Sequence, residues 1–319
     1  LLDRVRRYYE RRNRQMPSSA PQLAQVPEGF ETVDNPVGAA VGLWHADADR
    51  LLAVLPGIPE EMKAIFDSGV QPRLEAQPDL QDVSHRTLVT AGIGETSLQE
   101  RLGDLSPWLG EDLHLAYLPS TSGVRLRLTS AAGTEAGLDE LEAVIRERAG
   151  EHVIGTEGAT LEAVLGDQLR TAGRTIASAE SATGGLIGHR LTNVSGSSDY
   201  FEGAVVAYAN RVKQAVLGVE AEAIQSYGAV SEAVAVQMAE GVRAAVGTDV
   251  GIATTGIAGP TGGTPEKPVG TVWLGYADGT RSRAVRRQFV EDRALNKALF
   301  ASAALDLARR EQARRTEDM

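Results

Sequence analysis

The sequence predicts an α/β protein built in more than one part, and three observations carry that prediction. From residue 174 onward, short apolar runs alternate with glycine-bearing turns and helix-spaced stretches, the pattern of strands feeding helices. Two runs near the C-terminal end, Thr271 to Tyr276 and Arg283 to Phe289, flank Asp278-Gly279 and read as an antiparallel pair. At 319 residues the chain also exceeds one ordinary core, so two or three domains are expected.

Composition narrows the function classes. Hydrophobic residues make up 42%, enough to bury a core, and no uninterrupted apolar run of about 18 residues is present to cross a bilayer. The reading is a cytoplasmic protein. There are no cysteines, which excludes disulfides and thiolate zinc sites. The five histidines are scattered singly, so no metal site is expected from them. A net charge of −11 argues against a protein whose task is to hold a polyanionic backbone, and nucleic acid is not an expected partner. The chain opens on Leu1-Leu-Asp-Arg-Val, which looks like mid-domain helix, and an upstream portion is expected.

Taken in order, Leu2, Val5 and Tyr9 share one helical face, with arginines covering the rest as a solvated surface. The apolar run Leu51-Leu-Ala-Val-Leu55, the turn from Pro56 and a helix starting near Glu60 predict an α/β unit. A small mixed α+β unit begins near Asp82. It has strands at Arg86 to Thr90 and Val124 to Leu128, a turn at Gly92-Ile-Gly-Glu95, and a helix marked by Leu138, Leu141 and Ile145. A boundary is expected around residues 151–158, followed by a helix capped by Thr160.

The third part holds the chemistry. Arg174-Thr-Ile-Ala-Ser178 reads as a buried strand entering Ala179-Glu-Ser-Ala-Thr-Gly-Gly185, with a helix marked by Ile187, Leu191 and Val194 beyond it. Such a turn presents unpaired backbone N–H groups to an anion, although capping is the commoner role for a hydroxyl there. Gly203 to Tyr208 is expected to be a second buried strand, and Asn210 to cap a short helix carrying Lys213 and ending at Gly218. Ser231 opens a long helix with Val234, Met238 and Val242 as its core stripe. Val250 to Thr255 is a third buried strand, entering the glycine- and proline-rich loop 256–268. The final helix carries Leu295, Leu299 and Leu305, and residues 309–319 read as a frayed, charged tail.

Ligands in open α/β folds bind beyond the C-terminal ends of the strands. Three such ends deliver Ser181, then Tyr208 and Lys213, then Thr255. A serine with a lysine as base can hydrolyse an acyl bond without histidine. The lysine must lose its proton near neutrality, so its pKa must fall about three units from about 10.4, roughly 4 kcal/mol, through burial or a cationic neighbour. An exposed Lys213 would instead neutralise an oxyanion or phosphate. Arg293, beside Asp292, suits either a phosphate or a local salt bridge.

These residues carry a resemblance. Ala179-Glu-Ser-Ala-Thr-Gly-Gly185, Gly196-Ser-Ser-Asp-Tyr-Phe201, Val206-Ala-Tyr208, Lys213, Tyr227-Gly-Ala-Val-Ser-Glu232, Thr254-Thr-Gly-Ile-Ala-Gly-Pro260 and Lys267-Pro-Val-Gly-Thr-Val-Trp273 resemble the C-terminal nicotinamide-nucleotide amidase domain of the competence/damage-inducible CinA family. The resemblance runs from about Gly158 to Arg309. It implies a three-layer α/β amidase domain over residues 156–319, a small KH-like α+β middle domain over 82–155, and a truncated molybdopterin-binding-like α/β domain over 1–81. It also implies hydrolysis of nicotinamide mononucleotide to nicotinic acid mononucleotide and ammonia with no cofactor, while the several long helices and the small middle unit point to a homodimer. Ser181 would then be the nucleophile, with Lys213, Tyr208 and Thr255 as catalytic neighbours. Glu180, Thr183, Gly184, Gly185, Ser198, Gly256 and Arg293 would face substrate. Many family members have Cys where this chain has Ala182, a neutral change for a serine nucleophile.

The front part resembles the family through Asn35-Pro-Val-Gly38 and Leu55-Pro-Gly-Ile-Pro-Glu-Glu-Met62. The family's Gly-Gly-Leu-Gly-Pro-Thr stretch and its following acidic pair are absent from this sequence. That stretch is associated with a divalent-metal-dependent ADP-ribose pyrophosphatase, which stands as an alternative for the longer protein. A non-enzymatic partner in competence or DNA repair is the third reading.

Overall fold

A computed structural model describes residues 1–47, 50–77, 83–131, 133 and 135–317, the side chains of 316 and 317 excepted. The expected boundary near Asp82 falls outside the described residues. The chain separates into two compact units, residues 1–82 and 83–319. No helix among the described residues is long and apolar enough to cross a membrane.

The first unit runs α1 (Leu2–Arg11), β1 (Glu31–Val33), β2 (Gly42–Ala46), β3 (Leu51–Val54), α2 (Pro59–Ile65) and α3 (Gln71–Glu75). The strand, turn and helix expected from Leu51 are present as β3, residues 55–58 and α2, and the sheet is antiparallel in the order β1-β2-β3. The connection between β2 and β3 is too short for a crossover, so the strands pair as a hairpin. Val33, Trp44, Ile65 and Val70 form a small core, while all of β3 is exposed. Asn35 ties its loop to α2 by donating to Glu61 Oε2 (2.7 Å) and accepting from the N–H groups of Val37 and Gly38.

The second unit opens with β4 (Ser84–Thr90), α4 (Glu95–Leu102), β5 (Leu113–Ser120), β6 (Gly123–Ser130), α5 (Glu135–Ala149) and β7 (Val153–Thr156). They form an antiparallel sheet in the order β5-β6-β4-β7. Leu98 and Leu102 of α4 and Leu138, Leu141 and Ile145 of α5 pack on Leu88, Leu126 and Leu128, as the alternation in β6 predicts. The edge strands β5 and β7 escape the sequence reading, because half-exposed edges carry a weak apolar signal.

There follow α6 (Leu161–Ala172), β8 (Ile176–Glu180), α7 (Leu186–Thr192), β9 (Phe201–Val206), α8 (Asn210–Leu217), α9 (Ala221–Tyr227), α10 (Glu232–Val246), β10 (Val250–Gly256), β11 (Thr271–Ala277), β12 (Ser282–Gln288) and α11 (Arg293–Glu317). The sheet order is β12-β11-β10-β8-β9, with β8 parallel to both neighbours and β11 and β12 antiparallel. One apolar layer joins the sheet to α6, α7 and α11, and a second joins it to α8, α9 and α10. Gly251 and Gly275 let α10 lie close on the sheet. A Cβ at either would come within 2.0 or 2.1 Å of the carbonyl oxygens of Ala239 and Ala235.

Two expectations are corrected here. The strand before Tyr208 is an edge strand that alternates half-buried and exposed residues, because only β8 pairs with it. The charged C-terminal stretch is helix through Glu317, and Arg309, Glu311 and Gln312 are buried. Its polar groups are consumed by partners elsewhere: Gln312 donates to the Tyr276 hydroxyl (2.9 Å) and accepts from Arg174 (2.7 Å).

Candidate active site

The chain leaves β8 for β9 on one side and returns to β10 on the other, so β8 and β10 flank a topological switch point. The crevice beyond their C-terminal ends is where such sheets bind ligands. Ser181 follows β8 directly, and its N–H donates to the Thr254 carbonyl of β10 (3.0 Å). On the other side the Ala207 N–H donates to the Glu180 carbonyl (2.8 Å). Ser181 is thereby fixed between the ends of two strands.

Lys213 stands one turn into α8, whose N-terminus lies just after β9. Its side chain is 1% exposed, and its Nζ lies 3.0 Å from Ser181 Oγ, 2.8 Å from the Ala207 carbonyl and 3.2 Å from the Tyr208 carbonyl. No carboxylate among the described residues forms an ion pair with it. Burial pulls its pKa below the ordinary lysine value. Its Nζ donates to the two carbonyls and to the Ser181 hydroxyl, and on losing a proton it would turn its lone pair to that hydroxyl.

A cavity of about 210 Å³ opens above this pair. Of the residues assigned to the site from sequence, Ser181, Tyr208, Lys213, Thr255, Gly256 and Arg293 line it. Tyr208 is 63% exposed and sits at the mouth, where its hydroxyl accepts from Arg293 (3.2 Å). Arg293 also donates to the Gly259 carbonyl (2.8 Å), and no carboxylate among the described residues pairs with it. The salt-bridge alternative for this arginine is therefore not realised. Thr255 is buried and its hydroxyl donates to the Ala229 carbonyl (2.6 Å), which fixes one wall of the cavity rather than aiming a proton at substrate.

Five residues expected to face substrate do not line the cavity. Glu180 is fully buried, and its carboxylate accepts from the backbone N–H groups of Gly185, Ile187 and Gly188 (2.9–3.0 Å) and from the Ser178 hydroxyl (3.2 Å). Those are the N–H groups that an external anion would have needed. The turn carries its own anion, because strand alternation sends Glu180 to the opposite face from Ala179. Gly184 and Gly185 build that turn with positive φ values of 64° and 98°. The Thr183 hydroxyl is buried against that of Thr254 (2.8 Å). Ser198 is exposed on the turn before β9, at the end of that strand away from the cavity.

Other contributors were not assigned to the site from sequence. Asn210 lines the cavity, and it occupies the first turn of α8 without capping it, Ala209 being the N-cap. Its signal was spacing, since residues three apart share a helix face and Asn210 precedes Lys213 by three. Ala182, Ala229, Val230 and Ala258 complete the walls. Behind them Asn296, fully buried in α11, donates to the carbonyls of Ala258 (3.0 Å) and Val290 (2.7 Å). No group of three or more metal-binding side chains is gathered among the described residues.

The fold and site define a class: an open mixed-sheet α/β domain with a half-buried serine beside a buried lysine at its switch point, preceded by a small antiparallel α+β domain. Comparison with known proteins gives the class its family. A family model described as the CinA C-terminal domain matches residues 158–312, and one described as the damage-inducible protein CinA KH domain matches residues 85–155. A CinA-like protein of Salinibacter ruber is 72% identical over 314 residues, covering 97% of this chain and 76% of that protein. A CinA-like protein of Gemmatimonas aurantiaca is 42% identical over 325 residues, covering all of this chain and 76% of its own. The crystal structure of competence/damage inducible protein CihA from Agrobacterium tumefaciens is 34% identical, with a TM-score of 0.44 over 47% of this chain and 94% of that one. The chain belongs to the CinA family.

Proposed function

We propose that the C-terminal domain is an amidohydrolase that converts nicotinamide mononucleotide to nicotinic acid mononucleotide and ammonia. The observation that carries the chemistry is the 3.0 Å contact between Ser181 Oγ and the Nζ of a buried lysine without a carboxylate partner. The substrate is an inference from the family resemblance. The rim also suits it, since Arg293 stands at the mouth unpaired by any described carboxylate and can meet a 5′-phosphate.

In this reading the Lys213 amine accepts the hydroxyl proton as Ser181 Oγ bonds to the carboxamide carbon. The resulting ammonium returns that proton to the amide nitrogen, which leaves as ammonia and yields an ester on Ser181. Water then attacks the ester carbon while Lys213 takes and redelivers a proton, releasing the acid and restoring the serine. The sum is amide plus water giving acid plus ammonia. Tyr208 and Arg293 hold the phosphate end, and Thr255 and Asn296 act on walls rather than on reacting atoms.

Ammonia release from a panel of pyridine amides, with and without the 5′-phosphate, tests this. Turnover of nicotinamide mononucleotide is expected to persist in chelator and to fall about 10⁴-fold in Ser181→Ala. Turnover near wild type in that variant would remove Ser181 as nucleophile. Equal turnover of the free amide and its nucleotide would remove the phosphate role of Arg293.

A further inference from the structure

The cavity above Ser181 is not the largest one in the second unit. Another, of about 420 Å³, lies between the middle domain and the C-terminal domain, twice the catalytic volume. One wall is the turn at residues 92–95 together with the tip of the β5–β6 hairpin. The other is β12, Leu274 of β11 and the α11 face that carries Leu299, Ala303, Asp306 and Arg310. Nothing in the proposed chemistry uses this space.

Its walls are held in place before any ligand arrives. Arg310 donates to Glu151 Oε1 (2.6 Å) and Asp306 Oδ2 (2.8 Å), and Arg309 donates to the Glu151 carbonyl (3.0 Å). Gly92 packs so closely on Asp306 that a Cβ there would come within 2.0 Å of the carboxylate. A preformed cavity of this kind does not charge the ligand for ordering its walls.

The lining combines an apolar floor with surplus positive charge. Leu274, Val285, Phe289, Leu299 and Leu307 are buried or half-buried along the floor. At one end the buried Glu311 carboxylate is shared by three guanidiniums, those of Arg281, Arg283 and Arg314. Arg287 adds a fourth, bonded to the Arg286 carbonyl (3.1 Å) and paired with no carboxylate among the described residues. Asp306 and Glu151 are balanced by Arg309 and Arg310. Glu95, on the opposite wall, offsets only one of the remaining charges. This end is therefore basic in a protein of net charge −11.

We propose that this interdomain cavity is a second, non-catalytic binding site for a small amphipathic anion: an apolar ring or branched body on the floor, with one acidic group among Arg283, Arg287 and Arg314. The volume falls in the small-molecule range of about 300–1,000 Å³ and does not admit a partner helix about 10 Å across. The charge turns away metal cations and selects the acid.

Fluorescence titration of the full chain with 8-anilinonaphthalene-1-sulfonate, an aromatic monoanion, tests the site. One saturable site per chain is expected. Arg287→Glu, an exposed change, is expected to weaken binding about tenfold by reversing one facing charge. Ala303→Trp, which fills the cavity, is expected to abolish binding. Val230→Phe, which narrows the catalytic pocket, is expected to leave the affinity within about twofold. No saturable binding, unchanged affinity in Arg287→Glu, or loss in Val230→Phe would overturn the proposal. Should Ala303→Trp fail to fold, the Arg287 and Val230 arms decide the matter.

Discussion

Two ionisable side chains, both shut off from water, flank the same serine and have opposite surroundings. Glu180, one residue before Ser181, receives four hydrogen bonds, three of them from the backbone of the turn it stabilises. Lys213, 3.0 Å from the serine hydroxyl, has two carbonyls and that hydroxyl around it and no counter-ion among the described residues. A buried charge with every lone pair matched is a structural fixture. A buried charge facing only neutral dipoles is poised to give up its proton. Sequence position does not separate the two, and hydrogen-bond accounting does.

The sharpest way to break this contrast is to remove each charge in turn. Lys213→Met is expected to lower kcat/KM about 10⁴-fold, equivalent to about 5.5 kcal/mol, and to raise the melting temperature at neutral pH. The sign follows from the lowered pKa. Between the folded value and the ordinary lysine value near 10.5, the unfolded chain binds more protons, so the wild type gains stability as pH rises through that window. The stabilising effect of Lys213→Met is fully present below the window and shrinks across it. A melting temperature that falls in this variant at neutral pH would mean the ammonium is well solvated.

Glu180→Gln should do the reverse. It replaces an acceptor-only carboxylate facing three backbone donors with an amide whose NH₂ meets an N–H, costing about 3–5 kcal/mol of stability by denaturant unfolding. A variant as stable as wild type would contradict the role given to Glu180. Asn296→Ala is the smallest of the three. It frees the carbonyls of Ala258 and Val290 and should cost about 1–3 kcal/mol of stability, with kcat/KM falling about tenfold. Because Asn296 touches no reacting atom, the pH profile should keep its midpoint, and a moved midpoint would make it part of the proton path.

Much of the site was legible because strand ends are predictable from apolar runs. Ser181, Tyr208, Lys213 and Thr255 were brought together by the general rule for open α/β sheets, and the structure places all four on one cavity. The errors arose where the direction of a side chain matters more than its place in the chain. Glu180 adjoins Ser181 yet turns to the far face of the sheet, and Ser198 lies in a family-like block that packs at the other end of β9 from the cavity. The last turns of α11 read as a frayed, charged tail because, beside local pairs with Asp306 and Arg314, Arg309, Glu311 and Gln312 bond to residues at distant positions in the chain. Pairing across such separations leaves no local pattern to read.

The central proposal is that Lys213 serves Ser181 as its base, with burial drawing the lysine pKa below its ordinary value. Its most direct test is a ¹³C NMR titration of the Lys213 Cε resonance in the labelled full chain, assigned by Lys213→Met, beside the pH profile of kcat/KM. The account predicts that the resonance titrates below the ordinary lysine value and that the rate rises through the same midpoint. A Lys213 that titrates at or above about 10.5 while the rate rises at some lower pH would contradict it.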